Sequence, residues 1–402
     1  MNYLLGGYYG MKNAGDDLLL YVTIEEVSRL DPSAQFTVIA DCTLSLPATS
    51  NVKVVPGGRP LETLRQLASH DIWLFGGGGL LQDAGYRSLL YIKKLSRWVK
   101  VAKLLGRKVV LIGIGVGPLE TPQGRSCARS ILDDSDFVTV RSVESAQIAE
   151  ALGVRPAPVV TSDLGFLISK YKLAASASPS GKQTKTLGIS LLTPSGMLGK
   201  DQKDDMSAVI AIACALRRFL ERDKDFSIKL FEFFSGSKEY GDATVLRVLE
   251  QELRGGDRVE CRAYDGDFLA LYSDLSKCDR YLGMRYHACL LAWTAGVPCA
   301  MVAYHPKSYS LAKELRIAAE GVIPTDKLLD SAGLEARLEE LCNQPSHFLP
   351  GLPIESVVHA SSMNFALFAD WLQKEGIRTP DSECDNLNQF TAAQWVCPEE
   401  ER

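Results

Sequence analysis

Histidine is scarce, five in 402 residues, and no short signature ties histidine or cysteine to a metal. No H-E-x-x-H occurs, and the ten cysteines are scattered without a C-x-x-C pair, several of them inside apolar runs. That usage fits reduced thiols in a cytoplasmic protein, with neither a disulfide framework nor a structural zinc site. The chain also has no G-x-x-x-x-G-K-[ST], no G-x-S-x-G and no carboxylate-rich metal cluster. These absences argue against a P-loop enzyme, an α/β-hydrolase and metal-dependent phosphoryl transfer. Positive charge is not in excess, 44 Lys and Arg facing 49 Asp and Glu, so no overall field draws nucleic acid or anionic lipid. An anion site must therefore be a local cluster of Arg, Lys and His. No stretch approaches the roughly 18 apolar residues of a membrane span. The start, "MNYLLGGYYGMKNAGDD", has no basic segment leading into a sustained apolar one, so secretion is not expected.

What the chain does have is a repeated alternation of short apolar runs with amphipathic stretches, the pattern of βα units and a mostly parallel sheet. In the first half the runs are Asn2 to Leu5, Phe36 to Ala40, Ile72 to Phe75, Val109 to Ile112, Phe137 to Val140 and Val159 to Val160. "KLAASASPSGKQTK" then reads as an exposed linker, rich in Ala, Ser and Lys and lacking an apolar face. The pattern restarts with "TLGISLL", a helix over about Lys203 to Glu221, "SIKLFEFF", a helix near Gly241 to Leu253, "DRYLGMRYH" and "PCAMVAYH". Ile354 to Lys374 predicts a late amphipathic helix. The expected organisation is an N-terminal Rossmann-like domain over 1–171, a linker over 172–185 and a second Rossmann-like domain over 186–350. A helix over 351–375 packs back across both, and a frayed tail covers 376–402. Two such domains with a cleft between them suggest the glycosyltransferase-B type of architecture.

In open parallel sheets ligands sit beyond the carboxyl ends of the strands, where loop N–H groups and helix N-termini converge. After the first run comes "GGYYGMKNAGDD", in which Gly10 permits close backbone approach, Asn13 offers an amide and Asp16 precedes a helix that it could also cap. After Phe75 comes "GGGGLLQD", carrying Gly77, Gly78 and Gln82; four glycines in a row cost chain entropy unless something must approach the backbone. "GIGVGP" is a third glycine-rich strand end, equally well explained by tight helix packing. None of the three makes a dinucleotide fingerprint, although Asp41 after the second run leaves a nicotinamide reading open. Four cationic or protonatable side chains also follow apolar runs: Arg141, Arg285, His287 and Lys307. Singly each has an ordinary explanation, as a helix-flanking charge, a solvated loop residue or a core histidine. Together they suit a small phosphorylated acid, since Arg forks grip carboxylate and phosphate oxygens, Lys adds a point charge and His can deliver a proton.

These motifs, in this order, resemble the polysaccharide pyruvyl transferase family. "GYYGMKNAGDDLLL" looks like its G-Y-x-G-x-x-N-x-G-D-E opening, with Asp17 for the usual Glu. "GGGGLLQD" and "GIGVGPL" are similar to its glycine segments, and "GMRYHACLLAWTAGVPCAMVAYHPK" resembles its G-M-R-x-H to Y-x-P-K stretch. The resemblance implies a ketal transfer: the pyruvyl group of phosphoenolpyruvate moves onto two hydroxyls of a sugar and phosphate is released. No cofactor or metal is implied beyond the donor substrate. It makes His287 the candidate general acid, with Arg141, Arg285 and Lys307 as ligands of the donor anion. Gly10, Asn13, Asp16, Gly77, Gly78, Gln82 and Asp163 would serve the acceptor or its loops. The implied partners are phosphoenolpyruvate and a glycan, lipid-linked in one version, with the protein at the inner face of the membrane. Three features depart from the family pattern. Ser142 stands where an acid could orient Arg141, "TSDLGF" keeps Asp163 and loses a proline, and Leu192 lies where an Arg is often found. They keep open a nucleotide-sugar glycosyltransferase and a non-catalytic glycan- or partner-binding member.

Overall fold

The apolar runs become parallel strands because helices cover both faces of each sheet, so side chains on both sides of a central strand are buried. The computed structural model describes residues 1–40, 44, 46–47, 51–57, 59–84, 86–171, 184–192, 202–236 and 241–377. The first sheet holds β1 (Asn2–Gly6), β2 (Gln35–Ile39), β3 (Asn51–Val55), β4 (Ile72–Gly76), β5 (Lys108–Ile114), β6 (Phe137–Val140) and β7 (Val159–Val160). Their order is β3-β2-β1-β4-β5-β6-β7, all parallel. The second holds β8 (Lys185–Ser190), β9 (Phe226–Phe231), β10 (Val259–Arg262), β11 (Arg280–Gly283), β12 (Cys299–Ala303) and β13 (Val322–Pro324), in the parallel order β10-β9-β8-β11-β12-β13. Two Rossmann-like sheets of this kind are the glycosyltransferase-B-type arrangement read from the sequence. The reading missed β3, β10 and β13. These are edge strands with half-exposed or very short patterns, so they lack the apolar run that marks a buried strand.

In both sheets the strand order reverses at one point, between β1 and β4 and between β8 and β11. Loops leaving neighbouring strands there go to opposite faces and leave a crevice at the carboxyl ends. The connecting helices are α1 (Ala14–Leu30), α2 (Pro60–Ser69), α3 (Tyr86–Leu104), α4 (Pro122–Asp134) and α5 (Val143–Ala151) in the first half. In the second they are α6 (Gln202–Arg222), α7 (Ala243–Leu253), α8 (Phe268–Leu275), α9 (Tyr286–Thr294), α10 (Pro306–Glu314) and α11 (Ser331–Asn343). The outer layers are separate: α2, α3 and α4 pack on one face of the first sheet, and α6, α7 and α11 on one face of the second. Between the sheets lies a single apolar cluster that takes Leu5, Phe36 and Leu74 from one side and Tyr281, Cys299 and Met301 from the other, with α1 and α9 threaded through it.

Polar contacts lock the two halves together at the same place. The loop entering α1 pairs with the chain beyond β9: the Ala14 N–H donates to the Phe233 carbonyl at 2.9 Å, and the Ser235 N–H to Lys12 at 2.9 Å. Tyr264 donates its hydroxyl to Asp17 at 2.6 Å. The last helix, α12 (Ile354–Lys374), follows the second half in sequence and packs on the first, with Phe365, Phe368 and Leu372 in the shared cluster. Its Asn364 is fully buried. The Asn364 oxygen accepts from Thr139 at 2.6 Å and Thr161 at 2.8 Å, and its amide nitrogen donates to the Ser162 carbonyl at 3.0 Å. Of the segments anticipated above, 172–183 of the linker and 378–402 of the tail lie outside the described residues, and Lys185 already belongs to β8.

Replacing Asn364 by Leu removes the acceptor of the Thr139 hydroxyl and a donor to the Ser162 carbonyl in a buried site, while Thr161 keeps its bond to the Val140 carbonyl. Each orphaned group costs about 1–3 kcal/mol, so urea unfolding is expected to show a loss of about 3 kcal/mol or more. A change below about 0.5 kcal/mol, the range of ordinary surface substitutions, would refute this account of how α12 is held.

Candidate active site

The carboxyl ends of the strands bring together residues that are far apart in the chain. After β1, Asn13 caps α1, its side-chain oxygen accepting from the Gly15 N–H at 3.1 Å. Asp17 takes the N–H of Gly10 at 2.9 Å, which holds the loop in its turn. Asp16, between them, points toward the segment after β4, where Gly77 and Gly78 have φ of +75° and +87°. A side chain is strained at such φ, and a Cβ on Gly78 would lie 3.5 Å from the Asp16 carboxylate. A Cβ on the next residue, Gly79, would lie 3.8 Å from Arg141 Nη2 and 4.0 Å from Gln82 Nε2. The glycine run thus keeps a lane of bare backbone between Asp16, Gln82 and Arg141.

Arg141 follows β6 and is only 8% exposed. Its Nη1 donates to Asp163 Oδ2 at 2.7 Å, and its guanidinium carbon sits 4.6 Å from the centre of the Tyr286 ring. Asp163 follows β7, is fully buried, and its Oδ1 also accepts from the Gly165 N–H at 2.9 Å. From the second half, His287 in the first turn of α9 brings Nε2 to 3.7 Å from Asp163 Oδ1. That distance suits an ion pair and is too long for a hydrogen bond. Among the described residues, the buried His287 Nε2 has no hydrogen-bond partner. The ring fits only because residue 15 is glycine, since a Cβ there would fall 2.1 Å from Nδ1. Lys307 lies in the first turn of α10, behind His305, which caps that helix.

Burial alone would raise the Asp163 carboxyl, but the His287 ring and the Arg141 charge overcome it and hold it well below the usual range. Two other carboxyls go the opposite way. Burial, reinforced by Asp17, pushes Asp16 up to about 7 against the pull of Lys307 and Arg141. Burial pushes Glu314, at the end of α10, up to about 7 as well, although the Ser162 hydroxyl donates to it. His305 is pushed down to about 4 by burial and by the Lys307 and Arg141 charges. The centre therefore holds one firm negative charge, two carboxyls poised near neutrality and two cations from different halves.

Of the four cationic or protonatable residues singled out in the sequence, Arg141 and His287 meet at Asp163, and Lys307 reaches the same region electrostatically through Asp16. Arg285 does not join them: it grips Asp242 with both Nε, at 3.2 Å, and Nη2, and stacks 5.5 Å from the Phe234 ring. Asp242 also accepts the N–H groups of Phe233 and Phe234 at 3.1 and 3.0 Å, so Arg285 braces the strand-like contact between the halves. Ser142 accepts the Ser145 N–H at 3.2 Å as the cap of α5, and the acid that orients Arg141 is Asp163. Leu192 is buried, and the loop after it, like Asp41, lies outside the described residues. Sequence reasoning missed Tyr286, Asp242 and Glu314. Tyr286 stood between two chosen residues, whereas Asp242 and Glu314 sit at helix ends that look like ordinary caps or surface turns. Among the described residues no group of three or more His, Cys, Asp or Glu could hold a metal ion, and no helix is long and apolar enough to cross a membrane.

Two parallel sheets facing a crevice that holds Arg141, Asp163 and His287 make a glycosyltransferase-B-like fold. The chain belongs to the polysaccharide pyruvyl transferase family, whose model matches residues 13–306; it is a transferase of polysaccharide modification. Its fold is shared with the UDP-GlcNAc 2-epimerase of Neisseria meningitidis bound to UDP-GlcNAc, at TM-score 0.59 and 11% identity, covering 93% of this chain and 100% of that one. A putative UDP-N-acetylglucosamine 2-epimerase from Listeria monocytogenes aligns at TM-score 0.59 and 12% identity, over 94% and 98%. The Anabaena protein HepE in complex with UDP-glucose aligns at 0.56 and 13%, over 93% and 99%. Comparison of the sequence with curated proteins gives no match.

Glu314 and Asp16 make stability fall with pH. The Glu314 carboxyl rises on folding from an ordinary 4.5 to about 7, so the native chain binds more protons than the unfolded one in that window, and stability drops as pH climbs through it. The double variant Asp16→Asn, Glu314→Gln is expected to flatten the urea midpoint between about pH 4.5 and 7. An unchanged slope would show that neither carboxyl is perturbed. Asp163→Asn is expected to lose about 3–5 kcal/mol, because it leaves Arg141 buried beside a neutral amide. A loss under about 1 kcal/mol, the worth of an exposed pair, would count against the buried ion pair.

Proposed function

We propose that the protein transfers the pyruvyl group of phosphoenolpyruvate as a ketal onto two hydroxyls of a sugar in a polysaccharide or its precursor. The observation that carries this reading is His287. Its buried Nε2 lacks a hydrogen-bond partner among the described residues and stands beside the Arg141–Asp163 pair, with Lys307 across Asp16. A proton donor beside Asp163, with Arg141 and Lys307 both acting on the neighbouring Asp16, suits an enol phosphate that carries a carboxylate.

His287 delivers a proton to the methylene carbon C3 of the donor, and C2 becomes oxocarbenium-like. One sugar hydroxyl attacks C2, the C2–O bond to phosphate breaks, and a second hydroxyl closes the ketal. Of the two hydroxyl protons, one replaces the proton given to C3 and the other leaves with phosphate, so the balance closes. Arg141 and Lys307 offset the repulsion between donor carboxylate and phosphate and stabilise the departing group. Arg285 contributes by holding Asp242 and the junction. Asp16, Gly77, Gly78 and Gln82 line the acceptor side, with Gly10 and Asn13 shaping the loop and Asp163 fixing the cations. Phosphoenolpyruvate as a metabolite places the reaction in the cytoplasm, and the proton transfer and charge stabilisation come from side chains alone.

His287→Gln is expected to reduce phosphate release by a factor of about 10² to 10⁴ with donor affinity little changed; normal turnover would remove His287 as the acid. Arg141→Gln and Lys307→Gln should instead weaken phosphoenolpyruvate binding. UDP-GlcNAc and UDP-glucose, bound by the fold neighbours, are the control donors. Sugar transfer from either would favour a nucleotide-sugar glycosyltransferase, and glycan binding without phosphate release would favour a non-catalytic member.

A further inference from the structure

Helix α3 has a charge and shape that the transfer reaction does not use. Residues 88–108 contain seven of the chain's 44 Lys and Arg and no Asp or Glu, in a protein of net charge −5. The inner face of α3, formed by Ile92, Leu95, Val99 and Ala102, belongs to the apolar layer over the first sheet. Opposite that face, Leu90, Lys94, Arg97 and Leu104 lie along a stripe about 21 Å long, in which the half-buried Val101 packs against the same apolar layer. Leu90 is 48% exposed and Leu104 87%.

The cations divide sharply. Lys93 donates to Gln123 on α4, Lys103 pairs with Asp136, and Lys108 pairs with Asp136 and Glu375. Lys94, Arg97 and Lys100 are exposed and, among the described residues, make no hydrogen bond or ion pair. Carboxylates on the flanking helices are engaged elsewhere: Glu62 by Gln66, Asp133 by Arg129 and Asp134 by Ser130. Three uncompensated cations flanked by protruding leucines match an anionic bilayer surface, where the charges meet phosphate headgroups and the leucines enter the acyl boundary. A soluble acidic glycan would use the charges and leave the leucines in water. The helix also borders the site, because it follows the Gly76 to Gly79 segment and the Tyr91 hydroxyl feels the Asp16 charge.

We propose that the outer stripe of α3, Leu90 to Leu104 with Lys94, Arg97 and Lys100, docks the protein on anionic phospholipid. This deepens the functional reading above, on which it rests for its purpose: a glycan acceptor carried on a membrane lipid is brought to the mouth of the cleft.

The test is co-sedimentation of the full chain with phosphatidylcholine vesicles, with and without about one third phosphatidylglycerol, at low and high salt. Binding is expected only to the anionic vesicles and is expected to fall with salt. The triple variant Lys94→Gln, Arg97→Gln, Lys100→Gln is expected to lose affinity on the order of 100-fold, roughly fivefold per cation. Leu90→Ser with Leu104→Ser is expected to weaken the binding left at high salt. Urea midpoints equal to wild type establish that the variants fold. No preference for anionic vesicles, or a triple variant that binds like wild type, overturns the proposal, and so does tighter binding to soluble acidic glycan than to vesicles. Vesicle binding is read without donor or turnover, so its failure is distinct from failure of the transferase reading.

Discussion

A single buried carboxylate organises the cleft. Asp163 is fully buried, so its charge persists only because Arg141 donates to one oxygen while the other accepts a backbone N–H and faces the His287 ring. The first half supplies Asp163 and Arg141, and the second supplies His287 and the Tyr286 ring under the guanidinium. Neither half has the arrangement alone. Because the alternative is an unpaired charge in a dry site, the geometry of both halves is tied to this one residue.

The scaffold around it serves the same end. The carbonyl of Asp163 accepts from Ser361 on α12, and the neighbouring Ser162 carbonyl accepts from Asn364, so the last helix of the chain fastens the strand end that carries the site. On the other side, the α1 entry loop pairs with the segment after β9, and Arg285 with Asp242 stiffens that segment. A shared apolar cluster runs between the sheets. The halves are therefore joined by apolar burial, by backbone hydrogen bonds and by the charge cluster, all within the same crevice.

The distribution of charge follows a division of tasks. Inside the crevice Arg141 pairs with Asp163, and burial brings the Asp16 and Glu314 carboxyls up to about 7. Outside it, Lys94, Arg97 and Lys100 on α3 have no ion pair among the described residues, in a chain of net charge −5. A low net charge thus conceals two local fields of opposite use, one enclosed and balanced, the other open.

Most of the parallel strands were legible as apolar runs, and α6, α7 and α12 as amphipathic periods, because burial leaves that imprint locally. The glycine segments and the positions of Arg141, His287, Lys307 and Asp163 were legible too, since they follow strand ends where ligands gather. Edge strands β3, β10 and β13 were not, because half-exposed residues carry no distinctive pattern. Nor were the partners: nothing local says that Arg285 turns to Asp242 while Arg141 turns to Asp163, or that Glu314 and Tyr286 close the site. Those pairings join residues tens to hundreds of positions apart, and their energies depend on desolvation that exists only once the two halves have met.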